Sequence, residues 1–233
     1  MLSAVIFDMD GVIIDSHPAH RAAWRTFLRE IGRKVTETEL DFVLDGRKRS
    51  EILRHFLGEL SEDEIREYGD RKDEFFKKAA LNVEVIPGVL ELIASLHDGG
   101  IPTAVATSAS ESRCRHVLEQ VHLADKFSVI VTGNEVSQGK PDPAIYHLAC
   151  QRLRVAPSHG LAVEDAISGI RAARSAGLTC IGVAGHQSPE LLREAGACHV
   201  IQDFLGLSLS ELRALAGSAL PHSSPFPRAL TVF

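Results

Sequence analysis

The stretch Val5-Ile6-Phe7-Asp8-Met9-Asp10-Gly11-Val12 decides how the rest of this chain is read. A short apolar run with β-branched and aromatic members stops at two carboxylates one residue apart, and a glycine follows at once. The run fits a buried strand, and Gly11 allows the sharp turn that ends it. Two aspartates on a loop leaving a parallel strand can point into one small volume, where their repulsion calls for a cation or a shared proton. A hard divalent ion such as Mg2+ meets that need, because it takes carboxylate oxygens and keeps waters that phosphate oxygens can replace. One aspartate can then act as nucleophile and the other as general acid and base. The same triplet also fits a turn merely decorated with acidic residues, so the remaining chain has to choose between the two.

With 233 residues the chain has room for one large domain, or one domain carrying an insert. A hydrophobic share of 45% beside 24% charged residues is that of an ordinary soluble globular protein. The net charge of −6 lacks the basic field that nucleic acid requires, so no nucleic-acid partner is expected. Met1 leads straight into the strand, and no stretch approaches the roughly 18 apolar residues of a membrane span. Neither a signal peptide nor a membrane location is expected. Cys114, Cys150, Cys180 and Cys198 are scattered without a CxxC pair, which fits reduced thiols of a cytoplasmic protein rather than a zinc site or disulfide frame.

From Pro18 to about Asn82 the texture is helical, without a convincing strand. Trp24, Phe27, Leu28 and Ile31 recur at helical spacing and predict a helix over Pro18 to Ile31 with proline in its first turn. Thr36 with Glu39 offers a capping box for a second helix. Ile52, Leu53, Phe56 and Leu57 give a third an apolar face, and Ser61 to Glu64 begins a fourth that carries Tyr68, Phe75 and Phe76.

After Val85-Ile86-Pro87-Gly88 the pattern alternates. Helices are predicted over Val89 to Leu96, Ser112 to Val121, Ala144 to Leu153, Ile167 to Ala176 and Pro189 to Ala195. Strands are predicted at Thr103 to Ala106, Val129 to Val131, Leu161 to Val163, Cys180 to Val183 and His199 to Ile201. Such alternation implies an α/β fold, a Rossmann-like parallel sheet with helices on both faces, whose ligands sit at the carboxyl ends of the strands. Ser208 with Glu211 starts a last helix ending near Gly217. The expected organisation is a core domain of residues 1–15 and 83–217, a four-helix cap domain of 16–82, and a tail, 218–233, that is loosely ordered and unlinked to catalysis. An insert after the first strand would hang over Asp8 and Asp10, where a lid can exclude water and select a substrate.

Three later strand ends carry matching polar groups. Thr107-Ser108 offers hydroxyls for a phosphate oxygen. Lys140, in Gly139-Lys140-Pro141-Asp142, can neutralise a carboxylate and the charge of a transferring phosphoryl group. Glu164-Asp165 is a second acidic pair able to complete an oxygen-rich metal shell. Each also has a plain alternative: Thr107 as a helix cap, Lys140 as a solvated loop residue, Glu164-Asp165 as an acidic helix start. Their joint occurrence at successive strand ends favours a site.

With those four groups in order, the chain resembles the haloacid dehalogenase superfamily, in the branch with a helical cap inserted after the first motif. The resemblance covers roughly residues 2 to 216, with Asp8-Met9-Asp10-Gly11-Val12, Thr107, Lys140-Pro141-Asp142 and Glu164-Asp165 as its motifs. It implies that Asp8 becomes an aspartyl phosphate, that Asp10 protonates the leaving oxygen and then deprotonates the acceptor, and that Thr107 and Lys140 clamp the phosphoryl oxygens. It further implies Mg2+ held by Asp8, the Asp10 carbonyl and Asp165, with Glu164 nearby or ligating. Dehalogenases of the superfamily lack the second aspartate, so Asp10 points to phosphoryl transfer. Chemically, Asp10 can supply that proton if its carboxyl is kept neutral.

Within the insert, Asp15, His20, Trp24, Gly46, Arg49 and Lys72 are similar to positions of β-phosphoglucomutases and related sugar phosphatases. Arg49 is a candidate fork for a sugar phosphate, His20 shares a helix face with Trp24, and Lys72 adds a second positive contact. Exposed helix surface and, for Trp24, bundle core are the plain alternatives. The mutases carry a Ser-Arg pair in the glycine loop where this chain has Lys48-Arg49, which favours a phosphatase for a small phosphorylated metabolite over a phosphomutase. A silent binding module that kept the fold is the third possibility, and a monomer is expected, with a dimer as the alternative.

Overall fold

The computed structural model describes residues 2–217. The expectation for the tail, 218–233, falls outside them.

Strand β1 (Ala4–Phe7) leads through a two-residue strand β2 (Ile14–Asp15) into α1 (His17–Glu30), a 3₁₀ helix (Glu39–Leu44), α2 (Arg49–Leu57) and α3 (Glu62–Ala79). β3 (Glu84–Val85) then pairs antiparallel with β2, so the two strands that enter and leave the helical insert are tied together. Alternation follows: α4 (Val89–Asp98), β4 (Thr103–Ala106), α5 (Glu111–Gln120), β5 (Val129–Val131), α6 (Ala144–Leu153), β6 (Gly160–Glu164), α7 (Ile167–Ser175), β7 (Thr179–Val183), α8 (Pro189–Ala195), β8 (His199–Ile201) and α9 (Leu209–Gly217).

Among the described residues, six strands form one parallel sheet in the order β5-β4-β1-β6-β7-β8. Strand β1 lies between β4 and β6, and all four of its residues are buried because side chains that alternate across a pleat meet a covered face on either side. Val5 and Phe7 join a cluster with Val89, Leu92, Val117 and Phe204. Ile6 points the other way, to Ala104, Tyr146, Ala149 and Ile170. The chain leaves β1 in one direction for β4 and β5, then returns to β6 on the opposite side, and a crevice opens at such a reversal.

The insert has its own core of Trp24, Phe27, Leu28, Leu40, Leu53 and Phe56. Its second element is 3₁₀ rather than α. The Thr36–Glu39 box is present, with Thr36 N–H on Glu39 Oε2 at 2.7 Å and Glu39 N–H on Thr36 Oγ1 at 3.2 Å. Only six residues follow before the chain turns, too few to repay nucleation of an α-helix, while Leu40 and Val43 bury neatly at three-residue spacing.

Candidate active site

The register of the sheet carries the site's first residue. The Asp8 N–H still reaches Val163 O at 2.9 Å, and the Thr107 N–H reaches Val131 O at 3.0 Å, so both sit rigidly just past their strands. Lys140 crosses to them from the loop before α6. Its buried ammonium donates to Asp8 Oδ1 at 2.7 Å, Glu164 Oε1 at 2.6 Å and the Ala106 carbonyl at 3.0 Å. The Tyr146 hydroxyl donates to the same Glu164 oxygen at 2.6 Å. Burial pushes Asp8 up to about 7 despite the pull of Lys140, and Lys140 itself is raised because its two carboxylates outweigh burial.

Asp8, Glu164 and Asp165 offer ligand atoms within 4.8 Å of one another. Three buried carboxylates here face one lysine, and burial raises Glu164 and Asp165 as well as Asp8. Among the described residues Glu164 Oε2 has no hydrogen-bond partner. Hard oxygen donors with uncompensated negative charge fit a hard divalent cation. Gly11, at φ +76°, leaves the room: a Cβ there would lie 2.2 Å from Asp165 Oδ2. His17 Nε2 holds that same oxygen at 2.9 Å.

Asp10 turns toward the cap. Arg113 grips it with both terminal nitrogens, at 2.9 and 2.7 Å, Ser16 donates at 2.6 Å and His20 Nε2 lies at 3.2 Å. Burial would raise its pKa, but Arg113 and His20 outweigh that and hold it well below the usual carboxylate range. The sequence-based expectation of a neutral Asp10 is therefore corrected for this state: a bidentate guanidinium stabilises the carboxylate. Burial drives His20 down to about 3, so its ring is neutral.

Above these groups the cap is shut. Lys48 donates to Val136 O at 2.7 Å, the Gly139 N–H donates to Glu51 Oε1 at 3.1 Å, and the Ser168 hydroxyl donates to Asp45 O. Asp8, Asp10, Thr107, Ser108, Asp165, His20, Arg49 and Lys72 all border the cavity beneath, and Lys140 and Glu164 lie behind Asp8. The cavity holds about 50 Å³, room for a few waters and not for a sugar phosphate, so the cap has to open for such a ligand. The four expected substrate contacts are engaged by protein groups, His20 by Asp10 at 3.2 Å and Lys72 by Asp73 at 3.3 Å. The Ser108 hydroxyl donates to Gly46 O at 2.6 Å, docking the cap loop. Arg49 is not an open fork: its NH1 reaches Asp73 at 2.7 Å and Asp70 at 3.4 Å. The Thr107 hydroxyl accepts from Ala109 N–H at 3.1 Å, which leaves its own proton to give. Trp24 both joins the cap core and borders the cavity.

Residue-by-residue reading missed Arg113, His17, Tyr146 and Asp73. A signal existed for two of them. Arg113 lies on the buried stripe of α5 with Cys114, Val117 and Leu118, and Asp73 on that of α3 with Ile65, Lys72 and Phe76. A charge on the apolar face of a helix needs a buried partner.

Comparison with known proteins identifies the family. The family model described as haloacid dehalogenase-like hydrolase matches residues 2–177. A phosphorylated carbohydrates phosphatase of Thermotoga maritima is 34% identical over 205 residues, covering 86% of this chain and 94% of that protein. The β-phosphoglucomutase of Bacillus subtilis is 30% identical over 220 residues, covering 91% and 94%. Among solved structures, CbbY from Rhodobacter sphaeroides in complex with phosphate superposes with a TM-score of 0.82 at 30% identity, covering 91% of this chain and 100% of that one. The parallel sheet with its inserted cap, the strand-end carboxylates and lysine, and the family match over residues 2–177 together make this chain a member of the haloacid dehalogenase-like hydrolases.

Proposed function

We propose that the chain is a Mg2+-dependent phosphatase that hydrolyses a small phosphorylated metabolite, a sugar phosphate by the names of its relatives, through an aspartyl phosphate on Asp8. The observation that carries this is the Asp8 carboxylate: buried at the floor of a capped cavity, one oxygen on Lys140 and beside the acidic pair Glu164 and Asp165. Asp8, Asp165 and the Asp10 carbonyl would hold Mg2+, with Glu164 oriented by Lys140 and Tyr146 at its side. The ion would offset the like charge that opposes attack on a phosphate dianion.

Asp8 Oδ attacks phosphorus as the bond to the leaving oxygen breaks, and the leaving oxygen takes a proton from Asp10. Water then attacks the acyl phosphate, gives a proton to Asp10, and Asp8 departs as carboxylate. Net, an ester and water yield an alcohol and inorganic phosphate. Because Asp10 is ionised and clasped by Arg113 beneath the closed cap, it has to leave that clasp and gain a proton as substrate enters. Residues 16–82, hinged at the β2–β3 pair, act as the lid.

Phosphate release from p-nitrophenyl phosphate and a panel of sugar phosphates, with and without Mg2+ and with Asp8→Asn as control, tests the proposal. No Mg2+-dependent release from any of them rejects it. A phosphomutase is the second reading, favoured by the 30% identity to the Bacillus subtilis enzyme and by a closed cavity that limits water. Lys48, latched to the core through Val136 O, weighs against it. Incubating β-glucose 1-phosphate with a trace of bisphosphate separates the two: glucose 6-phosphate marks the mutase, free phosphate the phosphatase.

A further inference from the structure

The proposed reaction leaves one carboxylate of the cavity without a task. Asp73, late in α3, is buried and borders the cavity together with Arg49, Lys72, Ser110 and Arg113. One of its oxygens takes the Arg49 guanidinium at 2.7 Å and the Ser110 hydroxyl at 2.9 Å, and the other takes the Lys72 ammonium at 3.3 Å. Arg113 is already committed to Asp10, at 2.7 and 2.9 Å. Each of these three cations therefore already faces a carboxylate.

Stripped of Asp73, Arg49 and Lys72 would make a dianion site, a planar fork and a point charge under a closed lid. With Asp73 present, a second phosphate or carboxylate on the substrate would stand at ion-pair distance from a buried like charge, in surroundings where water screens little. A hydroxyl has no such difficulty. It can donate to Asp73 while accepting from Arg49 or Lys72.

We propose that Asp73 is a specificity-determining residue, one that keeps a second anionic group out of the cap end of the cavity and so confines the substrate to monophosphates with an uncharged, hydroxyl-bearing remainder. This rests on the phosphatase reading above and goes past it, since that reading is silent on the charge of the remainder.

The test compares glucose 6-phosphate and fructose 1-phosphate with glucose 1,6-bisphosphate and fructose 1,6-bisphosphate. Each is measured as kcat/KM where it is turned over, and otherwise as an inhibition constant against p-nitrophenyl phosphate. The wild type, Asp73→Asn and the double variant Asp73→Asn/Arg49→Gln are compared, since asparagine keeps the size and an oxygen for Arg49 and Ser110 while it loses the charge and the acceptor that faces Lys72. The expected result is a wild type that favours the monophosphates by about tenfold or more, and an Asp73→Asn protein whose bisphosphate-to-monophosphate ratio rises by about tenfold, chiefly through KM. Arg49→Gln in that background should remove the gain. A wild type that accepts bisphosphates as readily as monophosphates overturns the assignment whether or not the variant folds. So does a folded Asp73→Asn protein with an unchanged ratio. Absence of Mg2+-dependent phosphate release by the wild type from p-nitrophenyl phosphate and from every sugar phosphate would instead bring down the phosphatase reading, and this assignment with it.

Discussion

Replacing Lys140 with methionine keeps the bulk of the stem and deletes the ammonium with its bonds to Asp8, Glu164 and Ala106. Removing one partner of a buried ion pair costs roughly 3–5 kcal/mol while the other stays charged. Here two carboxylates remain close together, so the variant has a way out: they take up protons. Burial already carries Asp8 to about 7 and raises Glu164, and without the cation both move higher. An acid whose folded pKa exceeds its unfolded value binds more protons when folded. The stability it contributes is present below the unfolded pKa and lost as pH rises through the folded one. For the wild type the Asp8 loss spans 3.8 to about 7, and in Lys140→Met it extends above that. The deficit of the variant should therefore grow with pH, by up to about 1.4 kcal/mol per unit for each extra proton held. Starting from the buried-pair cost, it should rise from roughly 1 kcal/mol at pH 6 to roughly 4 kcal/mol at pH 8. Urea unfolding of both proteins with a chelator present, at three pH values across that range, measures it. A deficit flat in pH, or one below about 1 kcal/mol at pH 8, refutes the idea that Lys140 holds two ionised carboxylates together.

Other consequences are as open to measurement. Burial lowers Lys72 to about 8 even though Asp73 pulls the other way. Its charge should fade as pH rises through that value, so KM for sugar monophosphates should climb several-fold on the alkaline side, and Lys72→Met should flatten that limb. Gly11→Ala sets a Cβ 2.2 Å from Asp165 Oδ2 at a φ of +76°. The strained backbone should cost about 1–2 kcal/mol in thermal unfolding, and the Mg2+ needed for half-maximal activity should rise at least tenfold. If only the melting temperature moves, Gly11 serves the turn and not the metal site. Tyr146→Phe removes one of the two donors to Glu164 Oε1 and leaves Lys140 in place. A loss of about 1 kcal/mol, with kcat reduced less than by Lys140→Met, is the expected outcome in unfolding and steady-state assays.

Chemistry that lies in short segments at strand ends was legible from the chain alone. Asp8, Thr107 and Glu164 each follow or end a run of small and β-branched residues whose side chains alternate across a pleat, and the strand direction then decides where the polar group must emerge. The capping boxes at Thr36 and Ser61 were equally readable, because their bonds close within three residues. The two-residue strands β2 and β3 were not, being too short to show a period.

What the amino-acid order determined by itself is the succession of strands and helices, the place of the insert, and the identity of the groups that meet at the sheet's edge, since periodicity and local geometry suffice for those. Only the folded chain decided who pairs with whom. Arg113 reaches Asp10 across 103 positions and Lys140 reaches Asp8 across 132, and Arg49 is occupied by Asp73 rather than open to a ligand. Charge state, and with it the difference between an acid ready to give a proton and one held ionised, depends on neighbours within a few ångströms and on exclusion of water. Neither has any trace in sequence separation, so the same aspartate reads as a neutral acid on paper and stands as a clasped anion in the closed molecule.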